Sequence, residues 1–179
     1  MATYDIAEVE QAFQHYWKTG AVGEDWDGFA DNFTDDAHYI EHFFGDMRGR
    51  ETIRAWIKPI MEQFGELYTA YEWHMCGTDG RVVVYMQNRR DNPDPSAPPI
   101  DFPGVTILQY AGDGKWSVEE DYWALKAAER AGEEYTQACE RFDADHPKKR
   151  TRLHWGDGPG WAQGGASYGE SAGARRTGG

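Results

Sequence analysis

The stretch HYIEHFFGDMRGRE, residues 38–51, places two histidines and a glutamate inside an aromatic run. We interpret residues 37–44 as a β-strand that lies between segments with helical spacing. The predicted order is helix, helix, strand, helix and then four antiparallel strands, which indicates an α+β fold. Burying a polar group costs free energy unless the group is paired, so buried polar groups are often either paired or part of a functional site. The same stretch therefore also marks a candidate site.

Apolar residues recur at helical spacing on both sides of this strand, which predicts three N-terminal helices. Pro59 falls inside the third helix and predicts a kink or an early end. The three apolar stripes are Ile6, Val9, Phe13 and Tyr16/Trp17; then Trp26, Phe29 and Phe33; then Ile53, Trp56, Ile57, Ile60, Met61 and Phe64.

Later segments read as strands joined by turns, at residues 68–77, 81–90, 104–110 and 115–123. The sequence AGDGK between the last two predicts a hairpin. Residues 91–103 hold five of the eight prolines. They predict a stiff connection that either overhangs a pocket mouth or forms a plain exposed loop.

Together these elements predict a cone-shaped, curved mixed sheet wrapped around the three N-terminal helices, with one further C-terminal helix. The predicted cone domain spans residues 1–124, and helical spacing after Trp123 predicts an appended helix over 125–145. That helix packs across the sheet or against a partner subunit. Residues 146–179 are expected to be a flexible glycine-rich tail, since nine of the 24 residues from Gly156 onward are glycine.

Charge and composition narrow the classes of function. The net charge is −13; residues 148–179 carry six basic and two acidic residues, so residues 1–147 carry −17. A field of that sign repels phosphate backbones, so we expect no nucleic-acid partner. The chain has no apolar run long enough to span a membrane and no signal-peptide layout at its start. With two cysteines outside any CxxC motif, a reduced cytoplasmic protein is expected.

The chain resembles the nuclear transport factor 2-like superfamily, in its SnoaL-like polyketide cyclase and ketosteroid isomerase branch. The resemblance covers roughly residues 5–124 and rests on the element order and on four stretches. These are QHYWKTGAVGEDWDGFADNF (14–33), TDDAHYIEHFFG (34–45), RGRETIRAWI (48–57) and WSVEEDYW (116–123). It implies a cone around an apolar pocket, a homodimer, and no metal or cofactor. Because the same cone serves enzymes and binding modules, it does not fix the function.

The resemblance implies a role for Tyr16 as a hydrogen-bond donor to a substrate oxyanion, since Gly23 follows seven residues later as in the isomerases. The alternative is a core tyrosine. Isomerases also carry a protonated aspartate on the strand written here as VTILQY, where Thr106 or a neighbour stands instead. A hydroxyl is a weaker donor than an acid. A cyclase, dehydratase or hydrolase with one base and one donor therefore fits better than steroid isomerisation.

Glu41 and His42 both correspond to the isomerase general base, and the sequence does not decide between them. Neighbouring residues of a strand face opposite sides. If Glu41 faces inward, Tyr39 does too; if His42 does, His38 joins it. A carboxylate among aromatics has a raised pKa that suits a base, and a histidine suits that role unperturbed. The alternative is that one of them pairs with an arginine such as Arg48 to hold the turn.

Asp121 is the other candidate base, since the SnoaL-like cyclases carry an acidic residue near the end of their last strands. It alternates with Glu119 and Trp123, and the alternative is a solvated strand end. Expected catalytic residues are thus Tyr16, Glu41, His42 and Asp121, and expected ligand contacts are Tyr39, Trp56, His74, Thr106 and Trp123. His74 has a core histidine as its alternative. No metal site is expected, because His38 and His42 have no evident third ligand.

Two functions follow from these residues. The first is a cofactor-independent cyclase, isomerase or dehydratase that abstracts a proton from a small apolar carbonyl compound, polyketide-like or steroid-like, and stabilises the enolate. The second is a non-catalytic ligand-binding module or dimeric scaffold. The two differ in whether a base and a donor face one open cavity.

Overall fold

The computed structural model describes residues 2–164, and the predicted α+β cone is confirmed. Four α-helices and one six-stranded sheet form the described part. The helices are α1 (Ile6–Trp17), α2 (Trp26–Ala30), α3 (Arg50–Gln63) and α4 (Leu125–Phe142); the strands are β1 (Phe33–Glu41), β2 (Gly45–Arg48), β3 (Tyr68–Cys76), β4 (Arg81–Arg90), β5 (Ile100–Gly112) and β6 (Lys115–Trp123). A π-helical turn (Lys18–Val22) and two 3₁₀ turns (His146–Lys149 and Gly160–Ala162) complete the set.

The sheet is mixed, with the strand order β2-β1-β6-β5-β4-β3. β1 and β6 run parallel, and the other neighbours run antiparallel. The predicted hairpin between β5 and β6 is present: Asp113 and Gly114 both have positive φ, at 52° and 70°. That backbone twist matches the twist of the flanking strands. The parallel β1–β6 pair brings the opening stretch beside the last strand.

The core lies between the inner face of the sheet and helices α1 and α3. The largest fully buried side chains are mostly aromatic, and Phe13, Trp17, Phe33 and Trp116 are each at most 2% exposed. α4 buries Ala131, Tyr135 and Cys139 against β5, at the end of the sheet where the connection from β4 arrives. The predicted packing of this helix across the sheet is thus the arrangement seen. None of the described helices is both long and apolar enough to cross a bilayer.

Several predicted boundaries are wrong. Phe33 begins β1 instead of ending α2, and β1 stops at Glu41, so residues 42–44 form a turn into the unpredicted short strand β2. Pro59 does not end α3, which continues to Gln63. β5 begins at Ile100, so the connection from β4 is shorter than predicted. Pro103 is tolerated because β5 pairs only with β4 there; pairing with β6 starts at Gly104.

The prediction of a flexible tail over 146–179 does not hold for residues 146–164. Arg152, Trp155 and Ala162 are at most 6% exposed. Arg152 donates to Glu24 and to the carbonyl of Gly65. The rest of the predicted tail, residues 165–179, lies outside the described residues. Composition hides these contacts, because a few large side chains anchor an otherwise glycine-rich segment.

Candidate active site

An apolar cavity of about 310 Å³ opens between the helices and the inner face of the sheet. We call it the cavity throughout. Its walls are rich in aromatic side chains, which include Trp17, Trp26, Phe29, Trp56, Phe102 and Trp123. A space of this size is at the lower end of small-molecule sites, which are commonly apolar with a few placed polar groups. The predicted contacts Trp56 and Trp123 therefore lie where expected.

The polar groups of the cavity come from three adjacent strands. On β6, Glu119, Asp121 and Trp123 point inward because alternate residues of a strand share a face. Tyr39 pairs with Glu119 and Glu41 pairs with Asp121 in the parallel β1–β6 ladder. On the other side of β6, Thr106 pairs with Asp121. This register gathers residues that are about 80 positions apart in the chain.

Asp121 is the centre of the polar group. Its Oδ2 accepts a 2.5 Å hydrogen bond from the hydroxyl of Tyr39, and its Oδ1 accepts one from the hydroxyl of Thr106. Burial, with a contribution from the negative charge of Glu41, raises the pKa of Asp121 to about 6, although these two hydrogen bonds act in the opposite direction. The residue is half-buried and lines the cavity. Asp121 is thus mostly ionised at neutral pH, but it takes up a proton more readily than an exposed aspartate does.

Glu119 is more deeply buried, at 2% exposure. Its Oε1 accepts a 2.7 Å hydrogen bond from the hydroxyl of Tyr16, and its Oε2 has no hydrogen-bond partner among residues 2–164. Burial and the charge of Asp121 hold the pKa of Glu119 well above its usual range, against the opposing effect of the Tyr16 and Tyr39 hydroxyls. Two nearby carboxyls in a dry site do not both ionise easily. Glu119 is therefore favoured as the neutral acid.

Tyr16 and Tyr39 are hydrogen-bond donors in this arrangement. Burial, with a contribution from the negative charge of Asp121, raises the pKa of both phenols well above their usual range. Each hydroxyl keeps its proton and donates a hydrogen bond to one carboxyl. The predicted Tyr16 is thus in the cavity, but its hydroxyl is engaged by Glu119 instead of being free for a ligand.

Glu41 faces the cavity, which resolves the open choice between Glu41 and His42. Its Oε2 accepts hydrogen bonds from the backbone N–H groups of Phe43 and Phe44, at 2.8 and 2.6 Å. Its Oε1 accepts one from the indole N–H of Trp123. Both oxygens are therefore occupied, and Glu41 holds the turn after β1. The predicted turn-holding alternative is right in kind, but the donors are backbone groups and Trp123 in place of Arg48.

His42 and His74 are not in the cavity, so the structure does not place these two predicted residues at the site. His42 lies on the outer face of the sheet, 2.9 Å from Oε1 of Glu120, with 52% of its side chain exposed. Strand alternation explains this, since Glu41 takes the inward position. The ring of His74 packs on Phe13 beneath α1, with 4.3 Å between ring centroids. It bonds to Tyr71 and Glu10, as the core-histidine alternative predicted.

Sequence reasoning missed Glu119 as a site residue. The signal was available, because Glu119 alternates with Asp121 and Trp123 on one strand. Glu119 pairs with Leu108 of the run VTILQY on β5, so an acid lies on the strand next to that run. The cavity holds an ionised carboxylate, a neutral acid and two phenols, a set that can move a proton and stabilise a developing oxyanion.

Comparison with known proteins agrees with this architecture. The SnoaL-like domain family matches residues 9–119. An LEH-like epoxide hydrolase from M. tuberculosis is similar in structure, with a TM-score of 0.60, 14% identity, and coverage of 76% of this chain and 97% of that one. A SnoaL-like polyketide cyclase candidate from Jannaschia sp. CCS1 has a TM-score of 0.52 and 25% identity, with coverage of 68% and 91%.

A third similar structure is a protein with a ketosteroid isomerase-like fold from Catenulispora acidiphila DSM 44928, in complex with trimethylamine. Its TM-score is 0.51 at 20% identity, with coverage of 69% of this chain and 90% of that one. No functionally curated protein matches the sequence significantly.

Proposed function

The chain belongs to the SnoaL-like domain family, and we propose that it is a cofactor-independent enzyme that removes a proton next to the carbonyl group of a small apolar compound. One observation carries the proposal. Two carboxyls of β6, Asp121 and Glu119, face a single apolar cavity, and each accepts a hydrogen bond from a buried tyrosine. A scaffold does not need a charged and a neutral acid side by side in a dry space, because each is unfavourable to bury.

Asp121 is the general base in this proposal. A base works best when its pKa lies near the operating pH, and the pKa of Asp121 is about 6. Asp121 is also half-buried, whereas Glu119 is 2% exposed. Tyr39 and Thr106 orient Asp121 from two sides, so the carboxylate is held in place before a substrate enters. Glu41 is not assigned this role, because it is only 4% exposed and its carboxylate accepts three hydrogen bonds that hold the turn after β1.

Glu119 is the donor to the substrate oxygen. A neutral Glu119 carries an O–H group, and its Oε2 is the oxygen without a partner in the described chain. That O–H can bond to the carbonyl oxygen more strongly as negative charge develops there, which lowers the barrier. Tyr16 acts through Glu119 by fixing its other oxygen, and is a positioning residue.

The chemical step is a proton transfer. The C–H bond next to the carbonyl breaks, its proton goes to Asp121, and its electron pair forms an enolate whose oxygen is bonded by Glu119. Return of the proton to another carbon gives isomerisation. Attack of the enolate carbon on a second carbonyl of the same molecule gives cyclisation, and the proton on Asp121 passes to the new alkoxide. Departure of a β-hydroxyl, which takes up that proton and leaves as water, gives dehydration. The aromatic walls favour a polyketide-like or steroid-like substrate.

Exchange of the α-proton for deuterium in D₂O, followed by NMR, tests the step that all three reactions share. We expect exchange on at least one compound from a panel of apolar ketones and polyketide-like diketones. Asp121→Asn should slow that exchange by ~100-fold or more. Glu120→Gln is the matched control, because Glu120 is the next acidic residue on β6 but faces the outer surface with His42; it should exchange at the wild-type rate.

Two results would count against the proposal. If Asp121→Asn exchanges the proton at the wild-type rate, Asp121 is not the base. Tight ligand binding without exchange anywhere in the panel favours the non-catalytic binding module. The apolar ligand, the homodimer, the expected lack of nucleic-acid and membrane partners, and the cytoplasmic location stay predictions.

A further inference from the structure

A second cluster of reactive side chains lies outside the cavity, where α1 crosses β3. His74 and Cys76 are two residues apart on β3 and point to the same face. Glu10 of α1 lies over them. Its Oε2 is 2.7 Å from Nε2 of His74 and accepts a 3.4 Å hydrogen bond from the thiol of Cys76. One donor atom from each of the three residues lies within 4.8 Å of the other two.

We propose that Glu10, His74 and Cys76 bind one divalent transition-metal ion of the Zn²⁺ class. A thiolate, an imidazole nitrogen and a carboxylate oxygen are the three ligand types that Zn²⁺ takes in proteins. With ligand distances of about 2.0 to 2.3 Å, donors around a tetrahedral ion lie roughly 3.5 Å apart. Oε2 of Glu10 is 3.4 Å from the sulfur of Cys76 and 2.7 Å from Nε2 of His74, so Glu10 and His74 move apart to hold an ion. The proposal does not depend on the reaction assigned to the cavity.

The surroundings leave the correct atoms free for an ion. The hydroxyl of Tyr71 is 2.8 Å from Nδ1 of His74, so Nδ1 can carry the ring proton and leave Nε2 as the ligand. Gln14 donates a 2.9 Å hydrogen bond to Oε1 of Glu10, which leaves Oε2 facing the cluster. Partners of this kind orient metal ligands and set their tautomer. The imidazole ring is held further by Phe13 and Trp161, which pack against it.

Access from solvent comes from the Glu10 side. The side chain of Glu10 is 34% exposed, whereas that of His74 is 10% exposed. An ion at this place would therefore have three protein ligands and a fourth position for water. Such an ion would join the first helix to the outermost long strand, so its role would be to hold α1 on the sheet.

A nucleophilic cysteine is the main alternative use of the cluster. Burial, followed by the hydrogen bond to Glu10, raises the pKa of Cys76 to about 12. The thiol donates to the carboxylate of Glu10, which is a far weaker base than a thiolate, and the imidazole contacts that carboxylate instead of the sulfur. The cluster without a cation therefore does not supply a thiolate for attack.

Titration of the metal-free full-length protein with Co²⁺ and Zn²⁺ tests the proposal. Co²⁺ reports thiolate ligation through a charge-transfer band in the near ultraviolet. We expect one Co²⁺ per chain with that band, displacement of Co²⁺ by Zn²⁺, and a higher Tm with Zn²⁺ present. Cys76→Ser should abolish the band, and Glu10→Gln and His74→Gln should each weaken binding by at least about tenfold.

Cys139→Ser is the matched control, because Cys139 is the other cysteine and is buried on α4, away from the cluster. It should keep both the band and the affinity of the wild type. Absence of stoichiometric Co²⁺ binding by the wild type overturns the proposal, whether or not the variants fold. A band that Cys76→Ser retains, or that Cys139→Ser loses, overturns it as well.

Discussion

The hydroxyl of Tyr16 donates a 2.7 Å hydrogen bond to Oε1 of Glu119, and 103 residues of chain separate the two. Both side chains are buried, at 7% and 2% exposure. The bond ties the first helix to the last strand at the wall of the cavity. It also places a proton donor on one oxygen of Glu119 while the other oxygen has no partner in the described chain. The acid of the cavity is therefore held by the core and not by solvent.

Removal of that hydroxyl should destabilise the protein. In Tyr16→Phe, Oε1 of Glu119 loses its donor in a dry site, and we expect the free energy of unfolding to fall by about 1–3 kcal/mol. Tyr122→Phe is the matched control, since the Tyr122 hydroxyl bonds to Glu120 on the outer face and the residue is 44% exposed; its effect should stay within about 0.5 kcal/mol. Urea denaturation measures both. Equal effects would contradict the buried role of Tyr16.

The stability of Asp121→Asn relative to the wild type should depend on pH. Folding raises the pKa of Asp121 from its ordinary value of 3.8 to about 6, so the folded state binds this proton more tightly than the unfolded state. The protonated carboxyl contributes its full stabilisation to the wild type below pH 3.8, and this contribution is lost as the pH rises through about 6. The free energy of unfolding of the variant should therefore rise relative to that of the wild type over this pH range, by at most about 3 kcal/mol at neutral pH.

Glu120→Gln provides a control of opposite sign on the same strand. The hydrogen bond from Tyr122 first, and then His42, lower the pKa of Glu120. Its stabilising contribution is present above its ordinary pKa and is lost as the pH falls. Glu120→Gln should therefore be slightly less stable than the wild type at neutral pH and match it in acid. Denaturation curves across this range separate the two cases, and parallel pH profiles would contradict the assignment of inner and outer faces.

The fold can be predicted well from the sequence, because the periodic spacing of apolar residues indicates most of its helices and strands. Helical spacing and the hairpin signal define most elements, and strand alternation alone places Glu119, Asp121 and Trp123 on one face. The choice between Glu41 and His42 is different. It depends on the parallel register of β1 against β6 and on where β1 ends, and a one-residue slip reverses every side chain. Non-local pairing of that kind leaves no local pattern in the sequence.

The segment after α4 shows what amino-acid composition does not predict. Its glycine content predicts a flexible tail, yet Arg152 and Trp155 are buried. Asp91 accepts hydrogen bonds from the backbone N–H of Leu153 and from the hydroxyl of Tyr68. The contact between Asp91 and Leu153 joins residues 62 positions apart. Composition averages over such anchors, so the docking of residues 146–164 could not be predicted from it.

Glu41 should act on stability through the turn that it holds. Glu41→Ala removes the acceptor of two backbone N–H groups and of the Trp123 indole. We expect a loss of about 2–4 kcal/mol in the free energy of unfolding, since hydrogen bonds to a charged group are the stronger ones. Asp121→Asn should show no such loss at neutral pH. Chemical denaturation of both variants decides this, and a Glu41→Ala protein as stable as the wild type would contradict the role of Glu41.

Arg152 should be as important to the folded unit as a core residue. Its side chain is 1% exposed, and its Nη2 lies 2.7 Å from Glu24. Arg152→Ala leaves Glu24 without that cation, and we expect a loss of about 3–5 kcal/mol. Lys148→Ala is the matched control, because Lys148 and its partner Asp145 are both mostly exposed. If thermal or urea unfolding shows the two variants alike, residues 146–164 are not part of the folded unit.

The carboxyl pair of the cavity is open to direct observation. In ¹³C-labelled protein, NMR can follow the side-chain carboxyl carbons of Asp121 and Glu119 as the pH is raised from acid to alkali. We predict that the two groups titrate apart, with Asp121 ionising near pH 6 and Glu119 still protonated well above the usual range of a glutamate. If both carboxyls ionise in the ordinary range of exposed acids, the cavity holds no neutral donor beside its base, and the proposed proton-transfer chemistry is contradicted.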